Sequence, residues 1–271
     1  MVRKLIKHEF SAIGRSMFPM AVILLAMSVF TRIIQIFEVQ SRTYNIILGS
    51  AIVMLVIAMI VSLVMSVVIS IKRFYTNMFT GEGYLTITLP VTATEHILTK
   101  LLVAFVSVVA TVFAIIIAGS ISTLGEVLVE IFKAIDYLAD AYFDFLGGHG
   151  VAYIFEVLIA ATVVIASQFL LYYACISVGQ MAHKNRVLAA FGAYFGYYVI
   201  TQIFGTILVI FVSLQPQWLI DLMQSITDFA ANHPYAFIHY FIWCITLFYG
   251  VLSVVFFFIS RYIITNKLNL E

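Results

Sequence analysis

Six long apolar runs separated by short polar segments limit the fold of this chain more than any other feature. Each run has about 20 residues or more, which is the length that an α-helix needs to cross the hydrocarbon core of a bilayer. A helix also satisfies its own backbone polar groups there. The sequence therefore predicts an all-α polytopic membrane protein, with a single transmembrane domain over residues 1–271 and six spans at about residues 18–37, 46–71, 101–124, 152–178, 187–213 and 236–260.

Composition supports this class. Hydrophobic residues make up 63% of the chain and charged residues 10%, whereas about a quarter of the residues of soluble domains are charged. A net charge of +1 gives no support to a nucleic-acid partner, which needs a concentrated basic face. Both cysteines, Cys175 and Cys244, fall inside apolar runs, which argues against a disulfide framework.

Residues 2–17 have the pattern of an amphipathic helix that lies in the membrane interface. One side is apolar, and the other carries Arg3, Lys4, Lys7, His8, Ser11 and Arg15. Glu9 falls in the middle of the apolar side. Because a carboxylate facing lipid is costly, we expect Glu9 to pair with a cation from the protein body; a snorkelling or partly protonated Glu9 is the alternative.

The segment 72–100 is the longest polar interruption in the first half of the chain. Cations stand at both of its ends, at Lys72, Arg73 and Lys100. This is typical of a cytoplasmic loop. Its glycines and its proline break a long helix, and Thr92 followed by Glu95 forms a capping-box pattern that starts the next helix. We expect a short coupling helix, a turn and a new helix start, a shape suited to docking on a soluble partner.

Small residues at four-residue spacing predict close helix contacts in two spans. They are Ser62, Ser66 and Ser70 in the second span and Gly192 and Gly196 in the fifth. Such short side chains let neighbouring helix backbones approach each other within a membrane.

Residues 126–146 predict an extracellular amphipathic helix with an acidic face. Apolar residues follow helical spacing on one side, and five acids with Lys133 lie on the other. The outer acidic face is assigned to Asp136, Asp140 and Asp144. A solvated surface and a surface that attracts a cationic substrate both fit this charge.

Polar side chains in the fourth and fifth spans are candidates for a substrate path. They are Gln168, Tyr172, Tyr194, Tyr198 and Gln202. Such groups need partners or a wet cavity within a membrane, so packing with satisfied side chains is the alternative. Residues 214–234 are too short and too polar to cross and return, and we expect them to dip into the outer leaflet.

The distribution of Lys and Arg predicts the orientation. Eleven of the 14 fall in the N-terminal segment, the 72–100 loop, residues 184–186 and the C-terminal segment. Because cations concentrate on the cytoplasmic side, both termini should be cytoplasmic.

The sequence contains none of the short motifs that are typical of nucleotide binding, metalloproteases or serine hydrolases. The sequence has no nucleotide-binding G-x-x-x-x-G-K-[ST], no H-E-x-x-H and no G-x-S-x-G, and no residues with metal-ligand spacing. We therefore expect no catalytic and no metal site. A secondary transporter or channel is an alternative, although its coupling would need ionisable residues within the spans. A lipid-modifying membrane enzyme is another, although the predicted cytoplasmic acids are scattered.

Three stretches resemble ABC-2 type transporter permeases. The first runs Gly81-Glu82-Gly83-Tyr84-Leu85, then Thr88-Leu89-Pro90-Val91-Thr92, with Lys100 eight residues later. The second is Lys7-His8-Glu9-Phe10 with Arg15, and the third is the loop from Gly179-Gln180 to Arg186. Together with the six spans, the resemblance covers nearly the whole chain.

The resemblance implies a transmembrane permease domain of a bacterial ABC exporter in the plasma membrane. Two such subunits, identical or related, would face each other around a central path for a peptide, a drug or an amphipathic molecule. ATP and Mg would bind to separate ABC ATPase subunits, with no cofactor in this chain. The coupling residues implied are Phe74, Phe79, Glu82 and Tyr84.

Overall fold

The computed structural model describes residues 2–37, 41–80, 91–123, 147–182 and 184–266, together with positions 129, 130, 132–134 and 137. The described residues are helical apart from short turns and contain no strand. Within this described part of the chain, six helices are long and apolar enough to cross a membrane. The prediction of an all-α chain with six possible membrane helices is thereby confirmed.

Seven helices follow one another along the described chain. They are α1 Val2–Ile36, α2 Arg42–Phe79, α3 Ala93–Ser122, α4 Gly150–Gly179, α5 Arg186–Ser213, α6 Gln217–Asn232 and α7 Pro234–Asn266, with a 3-10 turn at Gly147–His149 before α4. Contacts divide the chain into two compact units, Met1–Ala141 and Tyr142–Glu271. Each unit contains three of the long apolar helices.

In the first unit, α1, α2 and α3 pack against one another. Leu24, Leu55 and Ala118, one from each helix, form the centre of an apolar cluster. The predicted serine stripe of α2 is buried, and the Ser70 hydroxyl lies 3.1 Å from that of Ser107 on α3. The stripe therefore contributes to helix packing, as its spacing predicts.

The helices of the first unit are longer than the predicted spans. α2 has 38 residues, or about 57 Å at 1.5 Å per residue, against a hydrocarbon core of about 30 Å. The predicted interface helix and the first span form one helix, α1, with Pro19 inside it. Both helices therefore exceed the thickness of the hydrocarbon core, and the turns outside the predicted spans lie at the start of α1 and at the end of α2.

In the second unit, α4 packs along α7, while α5 packs on α4 and α6 packs on α7. The Tyr153 hydroxyl of α4 donates to the Tyr235 carbonyl of α7 at 2.6 Å. The helix α5 has no buried residue. The 214–234 stretch, expected to dip into the outer leaflet, contains the amphipathic helix α6.

Candidate functional site

A buried carboxylate joins the three helices of the first unit near the start of α1. Glu9 is 5% exposed. Its Oε1 accepts from Lys100 Nζ at 2.8 Å and from Asn77 Nδ2 at 3.2 Å, and its Oε2 accepts from Arg73 Nε at 2.9 Å. The expectation that Glu9 pairs with a cation from the protein body is confirmed.

The partners of Glu9 come from both sides of the predicted coupling segment. Arg73 and Asn77 lie in the last two turns of α2, and Lys100 lies in the second turn of α3. Lys100 is itself 5% exposed. A single carboxylate of α1 therefore holds the chain that enters the segment 80–92 and the chain that leaves it.

The predicted capping box at the start of α3 is present. The Thr92 side chain accepts from the Glu95 backbone N–H at 3.3 Å, and Glu95 Oε2 accepts from the Thr92 N–H at 2.8 Å. Because these bonds satisfy backbone donors that have no partner within the helix, they determine where α3 begins.

Two of the four implied coupling residues are packing residues at the end of α2. Phe74 and Phe79 are 1% and 5% exposed, and their rings meet edge to face with centroids 5.8 Å apart. Their burial leaves little surface for direct contact with a partner. Glu82 and Tyr84 lie outside the described residues, so their coupling role stays a prediction.

The predicted path residues lie on α4 and α5, and two of them meet. The rings of Tyr172 and Tyr194 are 5.7 Å apart. Tyr198 is 51% exposed, and Gln168 and Gln202 are exposed as well. Gly192 and Gly196 would have open space around an added Cβ, so the close helix contact predicted for them is not made within the described chain.

The predicted outer acidic face cannot be compared with the structure, because its three residues lie outside the described ones. They are Asp136, Asp140 and Asp144. The described positions between 129 and 137 are helical. All of them are exposed, including Phe132 of the predicted apolar side at 66%, so the amphipathic character of this segment stays a prediction.

A second polar cluster lies in the second unit, where α4 and α7 begin. His239 Nδ1 is 2.8 Å from both carboxylate oxygens of Glu156, and Trp243 Nε1 donates to Glu156 Oε1 at 3.1 Å. The Tyr153 ring stacks on the His239 ring at 4.1 Å. His149 lies 5.7 Å from the His239 ring on its edge.

Sequence reasoning missed this second cluster. Glu156 lies near the start of the fourth predicted span, and its sequence neighbours indicate no partner for it. The available signal was the spacing of Tyr235, His239 and Trp243, which puts three polar aromatic side chains on one face of a helix. Within the described part of the chain, no three His, Cys, Asp or Glu residues could hold a metal ion.

Comparison with known proteins gives no assignment: no family model, no curated protein and no solved structure matches the chain.

Proposed function

We propose that the chain is the transmembrane permease subunit of an ATP-driven ABC exporter in a bacterial plasma membrane. The observation that carries the proposal is the attachment of both flanks of the segment 80–92 to Glu9 of α1. A loop held in this way can receive a push from a soluble partner and pass it to three helices at once. ATP and Mg belong to the separate ATPase subunits.

The charges near Glu9 indicate which side of the membrane this end of the first unit faces. Arg3, Lys4, Lys7 and Arg15 are exposed on α1, and Lys72 is exposed near the end of α2. We place this end of the first unit on the cytoplasmic side, where cations concentrate, so that these exposed side chains can reach anionic lipid headgroups.

The strength of the Glu9 cluster supports the transmission of movement. Leaving one member of a buried ion pair without its partner costs about 3–5 kcal/mol, so a displacement that separated Glu9 from Lys100 would be opposed by a cost of that order. The ends of α2 and α3 are therefore expected to move together with α1 when the coupling segment is displaced.

Coupling is tested by Glu82→Ala and Tyr84→Ala, each reconstituted with an ABC ATPase subunit that supports transport by the unaltered chain. We expect ATP hydrolysis to continue and transport to fall at least about tenfold, a change of about 1.4 kcal/mol in coupling. Lys72→Ala, at an exposed position on the same side, is the matched control. Unchanged transport in both coupling variants would contradict the docking site.

The second permease subunit is proposed to pack against α5. This helix buries no side chain within its own unit, and Gly192 and Gly196 give its surface the small-xxx-small pattern that favours helix association in membranes. Two identical chains could pair through it, as could related ones.

Gly192→Leu and Gly196→Leu should therefore weaken assembly without unfolding the chain, since nothing lies within 4 Å of an added Cβ at either position. Crosslinking of single-Cys variants in membranes measures the assembly. Leu208→Ala, at an exposed position on the same helix, serves as the control. An unchanged crosslinked fraction in both glycine variants would place the subunit interface elsewhere.

A cationic or amphipathic cargo is proposed because the 126–146 segment carries five acids and one lysine. The field of such a surface concentrates cations and repels anionic polymers. It acts over a Debye length of about 8 Å at physiological salt.

An ion-coupled secondary transporter is the second candidate. The observation that favours it is the Glu156–His239 pair, since ionisable residues within membrane helices often belong to ion or proton paths. Transport by the chain alone, driven by an ion gradient without ATP, would support this candidate over the exporter.

A further inference from the structure

The Glu156 carboxylate pairs with one imidazole, that of His239. In the described part of the chain, the only ion pair of Glu156 is with His239, and no Lys or Arg reaches it. The Glu156–His239 pair is neutral overall when His239 is protonated and carries one negative charge when His239 is neutral. Histidine is the side chain whose charge most readily changes between pH 5 and 8.

Other titratable groups surround His239, and among the described residues none of them forms an ion pair with Glu156. Tyr153 of α4 stacks on its ring, and His149 of the 3-10 turn touches its edge. Tyr235, one turn earlier on α7, stacks on His149 at 5.5 Å. Among the described residues of α6, the other helix packed on α7, the acids are Asp221 and Asp228, and neither forms an ion pair with His239.

An aromatic face lies beside the carboxylate. Trp243 donates its indole N–H to Glu156 and is nevertheless 43% exposed. A cation above an indole face is attracted by the ring, and tryptophan is the best aromatic residue for this contact. Because the indole nitrogen is 3.1 Å from Glu156 Oε1, a bulky cation on the indole face would lie close to this carboxylate, whose side chain is 15% exposed.

The size and hydration of the ligand follow from these groups. A small metal ion needs several oxygen or nitrogen ligands, and the described residues offer no such group. A large organic cation loses little hydration and gains from an aromatic face. The cluster therefore suits a quaternary ammonium or phosphonium ion.

We propose that Glu156 and Trp243 bind an apolar organic cation, and that a proton on His239 competes with that cation. The site names the cargo class of the proposed exporter and rests on that function for its role in transport. Binding itself requires neither ATP nor a partner subunit, so it can be measured on the full chain alone.

The two tryptophans of the chain allow a direct measurement. Trp218→Phe leaves Trp243 as the only tryptophan. With this variant in lipid nanodiscs, tetraphenylphosphonium should change Trp243 emission, and its affinity should be about three to ten times higher at pH 8 than at pH 5.5. The uncharged triphenylphosphine oxide should show no such pH dependence.

Two further substitutions separate the roles. Glu156→Gln, in the Trp218→Phe background, should weaken tetraphenylphosphonium binding about tenfold, and His239→Gln, which removes the imidazole paired with Glu156, should remove most of the pH dependence. Asp228→Asn, which removes an exposed carboxylate of α6, should change neither. The pH titration of Trp218→Phe needs no change at the cluster, so it remains decisive if Glu156→Gln fails to fold.

An affinity that is independent of pH, or that is unchanged in Glu156→Gln, would overturn the site. If tetraphenylphosphonium does not bind at this site but ATP-coupled transport is normal, the site is wrong and the proposed exporter stands. Conversely, if the cation binds at this site but no ATPase drives its transport, the site stands and the exporter proposal is wrong.

Discussion

Glu9→Ala is expected to lower the thermal unfolding midpoint of the chain by about 6–20 °C. Removing one member of a buried ion pair costs about 3–5 kcal/mol, and each kcal/mol shifts the midpoint of a chain of this size by about 2–4 °C. Glu9 and Lys100 are both 5% exposed, so water cannot easily replace the carboxylate. The midpoint is measured on the chain in lipid nanodiscs.

Lys7→Ala is the matched control for this substitution. Lys7 lies on the same helix but is exposed, and changes at such positions usually stay within about 0.5 kcal/mol. If Glu9→Ala and Lys7→Ala lower the midpoint equally, the buried ion pairs of Glu9 contribute no more to stability than an exposed side chain does.

The double variant Glu9→Leu with Lys100→Met separates stability from coupling. Replacing a buried ion pair by apolar side chains is often neutral for stability. Arg73 also loses its partner, but its side chain is 21% exposed and can turn to water, so the midpoint should recover part of the loss. Transport should stay impaired if the charged contacts transmit movement of the coupling segment. Full recovery of transport would mean that Glu9 serves packing alone.

Local patterns in the sequence were sufficient for several features. The capping box at Thr92 and Glu95 depends on residues three apart, and it forms as predicted. The serine stripe of α2 depends on helical spacing alone, and it is buried. Both patterns describe contacts that begin within a single helix, where sequence spacing determines which side chains share a face.

Partners from distant helices could be predicted only in part. The cost of a buried carboxylate indicated that Glu9 needs a cation, but its identity depends on how α1, α2 and α3 pack. Glu156 and His239 are 83 residues apart, and nothing in either local sequence indicates the other. Such pairs depend on tertiary packing, which the local spacing of residues in the sequence does not reveal.

Helix boundaries differed from span boundaries for a physical reason. The apolar run at about 46–71 marks the part of the chain suited to lipid, whereas α2 continues to Phe79. Its last turns are held by Phe74, Met78 and Phe79, which pack inside the unit. Hydropathy reports lipid contact, and it does not report where backbone hydrogen bonding ends.

A close contact at Gly179 joins the end of α4 to the start of α5. A Cβ added to Gly179 would lie 2.6 Å from the Ala190 nitrogen and 2.7 Å from both its Cα and its Cβ. None of these atoms belongs to a flexible side chain that could turn away. The two helices can approach in this way only if residue 179 is glycine or if their backbones shift.

Gly179→Ala should therefore lower the free energy of unfolding by about 3 kcal/mol, the upper part of the usual range for overpacking. Gly205→Ala on α5, where nothing lies within 4 Å of an added Cβ, is the matched control. It should be neutral or stabilise the helix by up to about 1 kcal/mol, because alanine is a better helix former than glycine. Unfolding of both variants in nanodiscs measures the difference. Equal stability would show that α4 and α5 can separate at Gly179 without cost.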